Sequence, residues 1–176
     1  TTGATRHFYM KFSNQLTRCT FDGPLGSMTL AAHDHGLVGI WFDGQQHQPD
    51  PSVWAVNPRH PMLASATRQL QEYFAGNRQV FDMPLDLNGG TDFQQQVWRA
   101  LLEIPSGQTV SYGTLSQRIG RPRAVRAVGA AVGRNPLSIV VPCHRIVGTN
   151  GALTGYAGGL DRKTALLQLE SPRLDH

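Results

Sequence analysis

A cysteine and a histidine follow one another inside an apolar segment of the second half of the chain. Residues 139–147 read Ile-Val-Val-Pro-Cys-His-Arg-Ile-Val. The thiolate is the nucleophilic form of cysteine. A neighbouring histidine and cationic side chains lower the pKa of a cysteine, so we expect a lowered pKa for Cys143. Pro142 restricts its own φ and favours extended backbone before it, so the pattern predicts a strand ending there and a rigid corner at Cys143. Taken alone, this cysteine is more typical of a small core residue.

The stretch from residue 111 to residue 132 has the lengths and turn of a helix-turn-helix. We predict helices over 111–119 and 123–132, joined by Gly120-Arg121-Pro122. An apolar stripe of the second helix is expected to face inward, formed by Val125, Val128 and Val132. Arg123 and Arg126 are expected to share another face one turn apart. The outward face has little bulk, which allows close approach to another surface, and consists of Ala127, Gly129, Ala130, Ala131 and Gly133.

Positive charge is concentrated in the second half of the chain. The net charge is +4, and the acidic residues outnumber the basic ones before residue 91 but not after it. Between Arg118 and Arg145 lie six arginines and no acidic residue. A concentrated positive field attracts a phosphate backbone, although a solvated arginine-rich face would have the same composition.

The first half of the chain predicts a small antiparallel sheet and one helix. Three short segments rich in Thr, Val, Ile and aromatic residues are separated by turn residues, at 16–21, 27–32 and 37–42. Residues 45–61 lack periodicity and are interpreted as a loop. Apolar residues at helical spacing predict a helix over 60–74 that Gly76 ends.

A boundary between two domains is predicted at Gly89-Gly90, after an extended stretch at 82–88. Thr91 and Gln94 form a capping-box pattern that starts a helix with an apolar face of Phe93, Val97, Leu101 and Ile104. Mainly helices are expected beyond it. The sequence therefore predicts an α+β protein with an amino-terminal domain at 1–88 and a carboxy-terminal domain at 91–176. Residues 1–9 show no pattern and are interpreted as a remnant of expression.

No apolar run is long enough to span a bilayer, and the chain opens without a signal-peptide pattern. Two cysteines cannot form a disulfide framework for a chain of 176 residues. A free thiol nucleophile persists best in a reducing compartment, so we expect a cytoplasmic protein. Cys19 lies in a strand pattern and is expected in the core, since no zinc-ligand spacing joins it to the histidines. We expect no metal.

Several motifs occur together in an order and spacing that resemble one protein family. Pro142-Cys143-His144-Arg145 is preceded by Arg123-Ala124-Val125-Arg126-Ala127-Val128-Gly129 and followed by Gly155-Tyr156-Ala157-Gly158-Gly159 and Leu169-Glu170. This set resembles the methylated-DNA-protein-cysteine methyltransferases, also called O6-alkylguanine-DNA alkyltransferases. The resemblance covers residues 91–170 and is weaker before them. It implies a ribonuclease H-like amino-terminal domain and a winged-helix-like carboxy-terminal domain.

The resemblance also implies a role for each matching residue. Cys143 would take the alkyl group from guanine O6 irreversibly and once per chain, without a cofactor. His144 would act as base through a water molecule, and Glu170 would orient it. Tyr112 would donate to guanine N3, and Arg126 would enter the duplex from the minor groove in place of the flipped base. Other positions would contact DNA or shape the pocket: Arg123, Ala127, Gly129, Asn135, the main chain of Cys143 and Ile146, Tyr156, Ala157 and Gly158.

The implied partner is double-stranded DNA with alkylated guanine, bound by a monomer that could assemble cooperatively. Three other functions would use parts of the same pattern. Non-catalytic lesion-binding relatives carry tryptophan where this chain has Cys143. A thiol hydrolase using Cys143, His144 and Glu170 would lack the flanking signature of papain-like enzymes. A helix-turn-helix regulator would perform no chemistry and would gain no mass from alkylated DNA.

Overall fold

An antiparallel meander forms the first half of the fold. The structure, a computed structural model, describes residue 12 and residues 15–171. Strands β1 (Thr17–Gly23), β2 (Gly26–His33) and β3 (Gly36–Phe42) pair in sequence order, as predicted. Residues 45–61, predicted as a loop, also contain a 3-10 helix (Pro51–Val53) and a short strand, β4 (Ala55–Val56), that pairs parallel to β1. The sheet order is β3-β2-β1-β4.

Helix α1 (Pro61–Phe74) covers one face of this sheet. His60 caps its first turn by accepting from the Met62 amide, and Gly76 follows its end at a φ of 79°. The buried side of the helix consists of Leu63, Ala66, Gln69, Leu70 and Tyr73. All of these except Gln69 belong to the same apolar core as the helices of the second half, so α1 also reaches the carboxy-terminal elements.

Residues 82–88 connect the two halves along the edge of the sheet. Leu37 donates its amide to the Pro84 carbonyl and accepts from the Asp86 amide, each at 2.9 Å. This bridge with β3 accounts for the extended pattern, although the segment contains no regular strand. The two-domain division at Gly89-Gly90 remains a prediction. Residues 1–9, interpreted as a remnant, lie outside the described residues.

The second half contains four helices and one short parallel pair of strands within its described residues. Helix α2 (Asp92–Leu101) has the predicted capping box between Thr91 and Gln94. Helices α3 (Tyr112–Arg118), α4 (Val125–Gly133) and α5 (Leu160–Glu170) follow. Strand β5 (Val110–Ser111) pairs with β6 (Ile146–Val147), a short pair that the expectation of mainly helices did not include. The α+β class is confirmed.

Helix α4 differs from the predicted second helix of the helix-turn-helix. Arg123 lies in the turn before it, where the Ala124 amide bonds to the Arg121 carbonyl, so Arg123 and Arg126 do not share a helix face. The inward assignment of Val125 is wrong, because this side chain is 39% exposed. Ala131 was assigned outward but is buried. The helix begins two residues later than predicted, and its buried stripe consists of Val128, Ala131 and Val132.

The predicted strand before Pro142 is wrong. Leu137 makes a single bridge to Ile40 of β3, and the chain then turns, with the Val141 amide bonded to the Leu137 carbonyl at 2.9 Å. Ile139 has a φ of 73°, a left-handed conformation that is costly for a β-branched residue. The apolar run at 137–141 is therefore a buried turn rather than a strand. It leads directly into a 3-10 helix, Cys143–Arg145.

Among the described residues, no helix combines the length and apolar character needed to cross a membrane.

Candidate active site

Cys143 begins the short 3-10 helix and is 6% exposed. Its sulfur accepts a hydrogen bond from Asn135 Nδ2 at 3.1 Å. The same amide nitrogen donates to the Val141 carbonyl at 2.8 Å, while Asn135 Oδ1 accepts from the Leu137 amide at 3.0 Å. Asn135 follows the end of α4, so one buried side chain connects this helix to the turn that presents the cysteine.

The cysteine pKa is not lowered as expected from its neighbours in sequence. Burial raises the pKa of Cys143 to about 11, against the opposing effects of the Asn135 hydrogen bond and the Lys163 charge. His144 is neutral and Arg145 is paired elsewhere, so neither of them supplies the expected positive charge. The expectation of a lowered pKa is therefore wrong, and Cys143 rests as a thiol that requires a base.

His144 is fully buried and lies against the carboxylate of Glu170. Its Nε2 is 2.6 Å from Glu170 Oε1. Burial lowers the pKa of His144, although Glu170 opposes this effect, so the imidazole is neutral at neutral pH. Since an ionised carboxylate can only accept, we assign the proton to Nε2 and the lone pair to Nδ1. His144 Nδ1 has no hydrogen-bond partner among the described residues and is the nitrogen free to take a proton.

Two side chains besides His144 donate hydrogen bonds to Glu170. Arg145 binds it through two nitrogens, each at 2.9 Å, and the Tyr73 hydroxyl donates to Oε1 at 2.7 Å. Burial alone would raise the pKa of Glu170, but hydrogen bonds from His144 and Arg145 and their charges outweigh it and lower the pKa to about 2. Glu170, only 2% exposed in its side chain, is therefore ionised.

Arg145 is an internal residue rather than part of a DNA-facing surface. It is 6% exposed, and its third contact is the Ile104 carbonyl at 2.6 Å. The positive field that the sequence attributed to six arginines thus contains five exposed ones, Arg118, Arg121, Arg123, Arg126 and Arg134.

Lys163 is a buried residue of the site that the sequence interpretation missed. Its ammonium nitrogen donates to the carbonyls of Ile146 at 2.5 Å and Thr154 at 2.8 Å. These contacts fix the main chain on two sides of the pocket. A signal was present in the sequence, because Lys163, Leu166 and Glu170 lie at spacings of three and four on one face of α5.

A cleft opens beside the cysteine sulfur. Its lining residues are Gln46, Tyr112, Gly129, Val132, Gly133, Cys143, Gly155, Tyr156 and Ala157. Burial raises the pKa of Tyr112, so its phenol remains a donor at neutral pH. Four of the predicted site residues therefore line the cleft with Cys143: Tyr112, Gly129, Tyr156 and Ala157. Gln46, from the first half of the chain, also lines it and was not predicted.

The wall formed by Tyr156, Ala157 and Gly158 rests on the first half of the chain. The Gln46 amide donates to the Ala157 carbonyl at 3.0 Å. Gly158 lies behind the cleft, where an added Cβ would be 3.0 Å from the Phe42 ring and 2.8 Å from the Tyr156 ring. A glycine is therefore required by packing at this position.

The exposed face of α4 borders the same cleft. Arg126 and Ala127 are exposed, and Arg126 lies about one turn before Gly129, which is half-buried and lines the cleft. Arg123 is exposed in the turn that precedes the helix. Ile146 is buried, with its amide bonded to the Cys143 carbonyl and its own carbonyl bonded to Lys163.

Cys19 lies apart from this cleft. It is 4% exposed in the core, with its sulfur 3.9 Å from Thr67 Oγ1, which confirms the core assignment. Across residue 12 and residues 15–171, no three His, Cys, Asp or Glu side chains are grouped to hold a metal ion.

Fold and site together define a class of protein in which a buried thiol, next to a histidine bonded to glutamate, lies beside a helix-turn-helix with exposed arginines. Two family models match the chain: the ribonuclease-like domain of 6-O-methylguanine DNA methyltransferase over residues 16–87 and its DNA binding domain over residues 92–172. The chain belongs to the 6-O-methylguanine DNA methyltransferase family.

Named relatives agree with this membership. The methylated-DNA--protein-cysteine methyltransferase of Mycobacterium tuberculosis is 50% identical over 88% of this chain and 92% of its own length. That of Methanosarcina acetivorans is 48% identical over 85% of this chain and 95% of its own. The crystal structure of Mycobacterium tuberculosis OGT in complex with DNA matches with a TM-score of 0.82 at 49% identity, covering 88% of this chain and 92% of that one.

Proposed function

We propose that this protein repairs DNA by transferring the alkyl group of O6-alkylguanine to the sulfur of Cys143, once per chain. It is then a methylated-DNA-protein-cysteine S-methyltransferase that is consumed by its reaction. The observation that carries the proposal is the buried thiol at the cleft, next to a neutral histidine whose orientation is fixed by an ionised glutamate. Family membership supports the same chemistry.

The reaction proceeds by displacement at the alkyl carbon. His144 Nδ1 takes the thiol proton through a water molecule, and Glu170 stabilises the imidazolium that forms. The sulfur forms a bond to the alkyl carbon as the bond from that carbon to O6 breaks. The electron pair of the broken bond moves into the guanine ring, where the Tyr112 phenol donates to N3. The product is a thioether, which has no route back to a thiol in the site.

Recognition of the lesion uses the exposed face of α4 in the minor groove. Arg126 occupies the space that the flipped nucleotide leaves, since the alkylated base must leave the stack before the thiol can reach it. Ala127 and Gly129 have little bulk and allow close approach of the helix to the duplex, which Arg123 contacts from the turn before the helix. The exposed arginines neutralise phosphates, which makes binding dependent on salt.

The cleft holds the flipped base by its edges and walls. Carbonyls at Cys143 and Ile146 accept from the exocyclic amine, and a carbonyl oxygen has two lone pairs, so the Lys163 contact at Ile146 leaves one available. Tyr156, Ala157 and Gly158 form the wall beside the alkyl group. Asn135 holds the turn that carries the thiol against α4.

A reducing compartment, the cytoplasm, is the proposed location. Both cysteines are free thiols, and one of them must stay unoxidised to react.

A mass measurement after incubation with duplex DNA that contains O6-methylguanine tests the proposal. Each chain should gain one CH₂ unit, located at Cys143 by peptide mapping. Cys143→Ser should bind the duplex and gain nothing, whereas Cys19→Ser should react like the unchanged protein. Binding without any gain in mass would indicate a lesion-binding protein. More than one transfer per chain, or labelling at Cys19, would also contradict the proposal.

A further inference from the structure

We propose that Tyr73 of α1 is a positioning residue for the reaction of Cys143, since it supplies from the amino-terminal half of the chain a hydrogen bond that holds Glu170 against His144. This inference rests on the alkyl transfer proposed above. A residue of the first half of the chain then helps to orient the imidazole that accepts the thiol proton.

The hydroxyl of Tyr73 and Nε2 of His144 meet at the same carboxylate oxygen. Glu170 Oε1 lies 2.7 Å from the phenol and 2.6 Å from the imidazole. Tyr73 and Glu170 are 97 residues apart in the sequence. One oxygen atom therefore connects helix α1 to the histidine that takes the thiol proton.

The phenol ring is held in place independently of this bond. Tyr73 is 2% exposed, and its ring packs edge-on against Phe74 at 5.3 Å between centroids and at a tilt against Phe81 at 5.5 Å. A buried hydroxyl without a partner is costly, so this packing directs it to Glu170. Burial raises the pKa of Tyr73 far above its ordinary value, so the phenol acts only as a donor.

The charged groups around His144 determine what loss of this donor does. Glu170 faces it from the end of α5, Arg145 follows it in the 3-10 helix, and Lys163 lies on the facing side of α5. Arg78 borders the outer side of the Tyr73 and Glu170 contact but is paired with Glu72 at 2.8 Å. Of these neighbours only Glu170 favours the imidazolium, and the phenol withdraws part of its negative charge from Oε1.

Removal of the hydroxyl alone should therefore make His144 easier to protonate at rest. Tyr73→Phe leaves Oε1 with more negative charge, which stabilises the imidazolium and raises the pKa of His144. An imidazolium at rest cannot accept the thiol proton. The acidic limb of the transfer rate against pH should then move to higher pH, with a loss of up to about tenfold in rate below it and little change above it.

The experiment measures single-turnover transfer from an O6-methylguanine duplex between pH 5 and pH 8, together with thermal unfolding at each pH. Histidine ¹⁵N NMR titrates His144 directly, with its signal assigned by loss in His144→Gln. Gln69→Met is the matched control: Gln69 is also buried on α1, but its side chain bonds to the main chain of Asp82 rather than to Glu170.

An upward shift of the acidic limb and of the His144 titration in Tyr73→Phe, absent from Gln69→Met, is the expected result. A Tyr73→Phe profile that matches the unchanged protein would overturn the inference. A loss by the same factor at every pH would also overturn it, because the hydroxyl would then only brace the fold. If the unchanged protein transfers nothing, the proposed function fails instead, and the NMR titration still tests whether Tyr73 controls His144.

Discussion

Replacement of the base His144 should make alkyl transfer depend on pH in a way that the unchanged protein does not. His144→Gln keeps an amide that can donate to Glu170 but has no nitrogen that accepts a proton at neutral pH. It is a cleaner change than one at Glu170, because that carboxylate also pairs with the buried Arg145. An unpaired buried charge would destabilise the fold and obscure the kinetics.

The size of the effect follows from the resting state of the thiol. With a pKa of about 11 for Cys143, the thiolate fraction at pH 7 is about 10⁻⁴. Loss of a general base typically lowers a rate by about 10² to 10⁴. Without the base the rate should follow the thiolate fraction, so it should rise about tenfold for each pH unit between pH 7 and pH 10. The unchanged protein should be nearly independent of pH over this range.

Single-turnover transfer from a saturating O6-methylguanine duplex, quenched at intervals, measures these rates. Burial raises the pKa of Tyr112, so its titration should not interfere in the lower part of the range. His60→Gln is a control, since His60 caps α1 and bonds to Asp34 outside the cleft. Folding at each pH is checked by thermal unfolding. A His144→Gln defect of constant size from pH 7 to pH 10 would refute the assignment of His144 as base.

Other predictions concern DNA binding, the Glu170 carboxylate and the stability of the fold. Arg126→Ala should slow transfer from duplex DNA far more than reaction with free O6-benzylguanine, because the free base needs no extrusion; equal losses would indicate a damaged site. Arg121 is exposed, and if its charge neutralises one phosphate as proposed, Arg121→Ala should instead lower the slope of log affinity against log salt by about one. Thr91→Ala, which removes the capping box of α2, should lower the free energy of unfolding by about 1 kcal/mol in denaturant titrations. The depressed pKa of Glu170, about 2 against an ordinary 4.5, should contribute about 3 kcal/mol above pH 4.5 that is lost as the pH falls towards 2, and Glu170→Gln should lack this loss.

Local patterns in the sequence predicted most of the elements correctly. The three strands, the helix ended by Gly76 and the capping box of α2 depend on neighbouring residues, so periodicity and turn chemistry were sufficient. The motifs around Cys143, His144 and Glu170 identified side chains that the structure does bring together. Their roles remain predictions.

Tertiary contacts account for what local patterns missed. Residues 137–141 have strand composition, but a bridge to β3 and the turn at Ile139 override that preference. Tyr73 and Lys163 enter the site through partners across the fold, and a lysine on a helix is ordinarily solvated. The pKa of Cys143 could not be predicted from its neighbours, because burial and the pairing of Arg145 with Glu170 decide it.

Burial and the base have complementary effects on a nucleophile that can be used once. A surface cysteine with a lowered pKa would react with any alkylating agent in solution, and each such event would consume the protein. Burial of Cys143 keeps nearly all of the thiol protonated at pH 7, which suppresses that background. His144 is also buried, so in the proposed mechanism the thiol proton is removed inside the protein, beside the cleft that would hold the flipped base. In the proposed mechanism a high thiol pKa is compatible with repair because the base is buried with the nucleophile. A variant that exposed Cys143 should therefore lose its selectivity against alkylating agents in solution, even if it took the alkyl group from guanine faster.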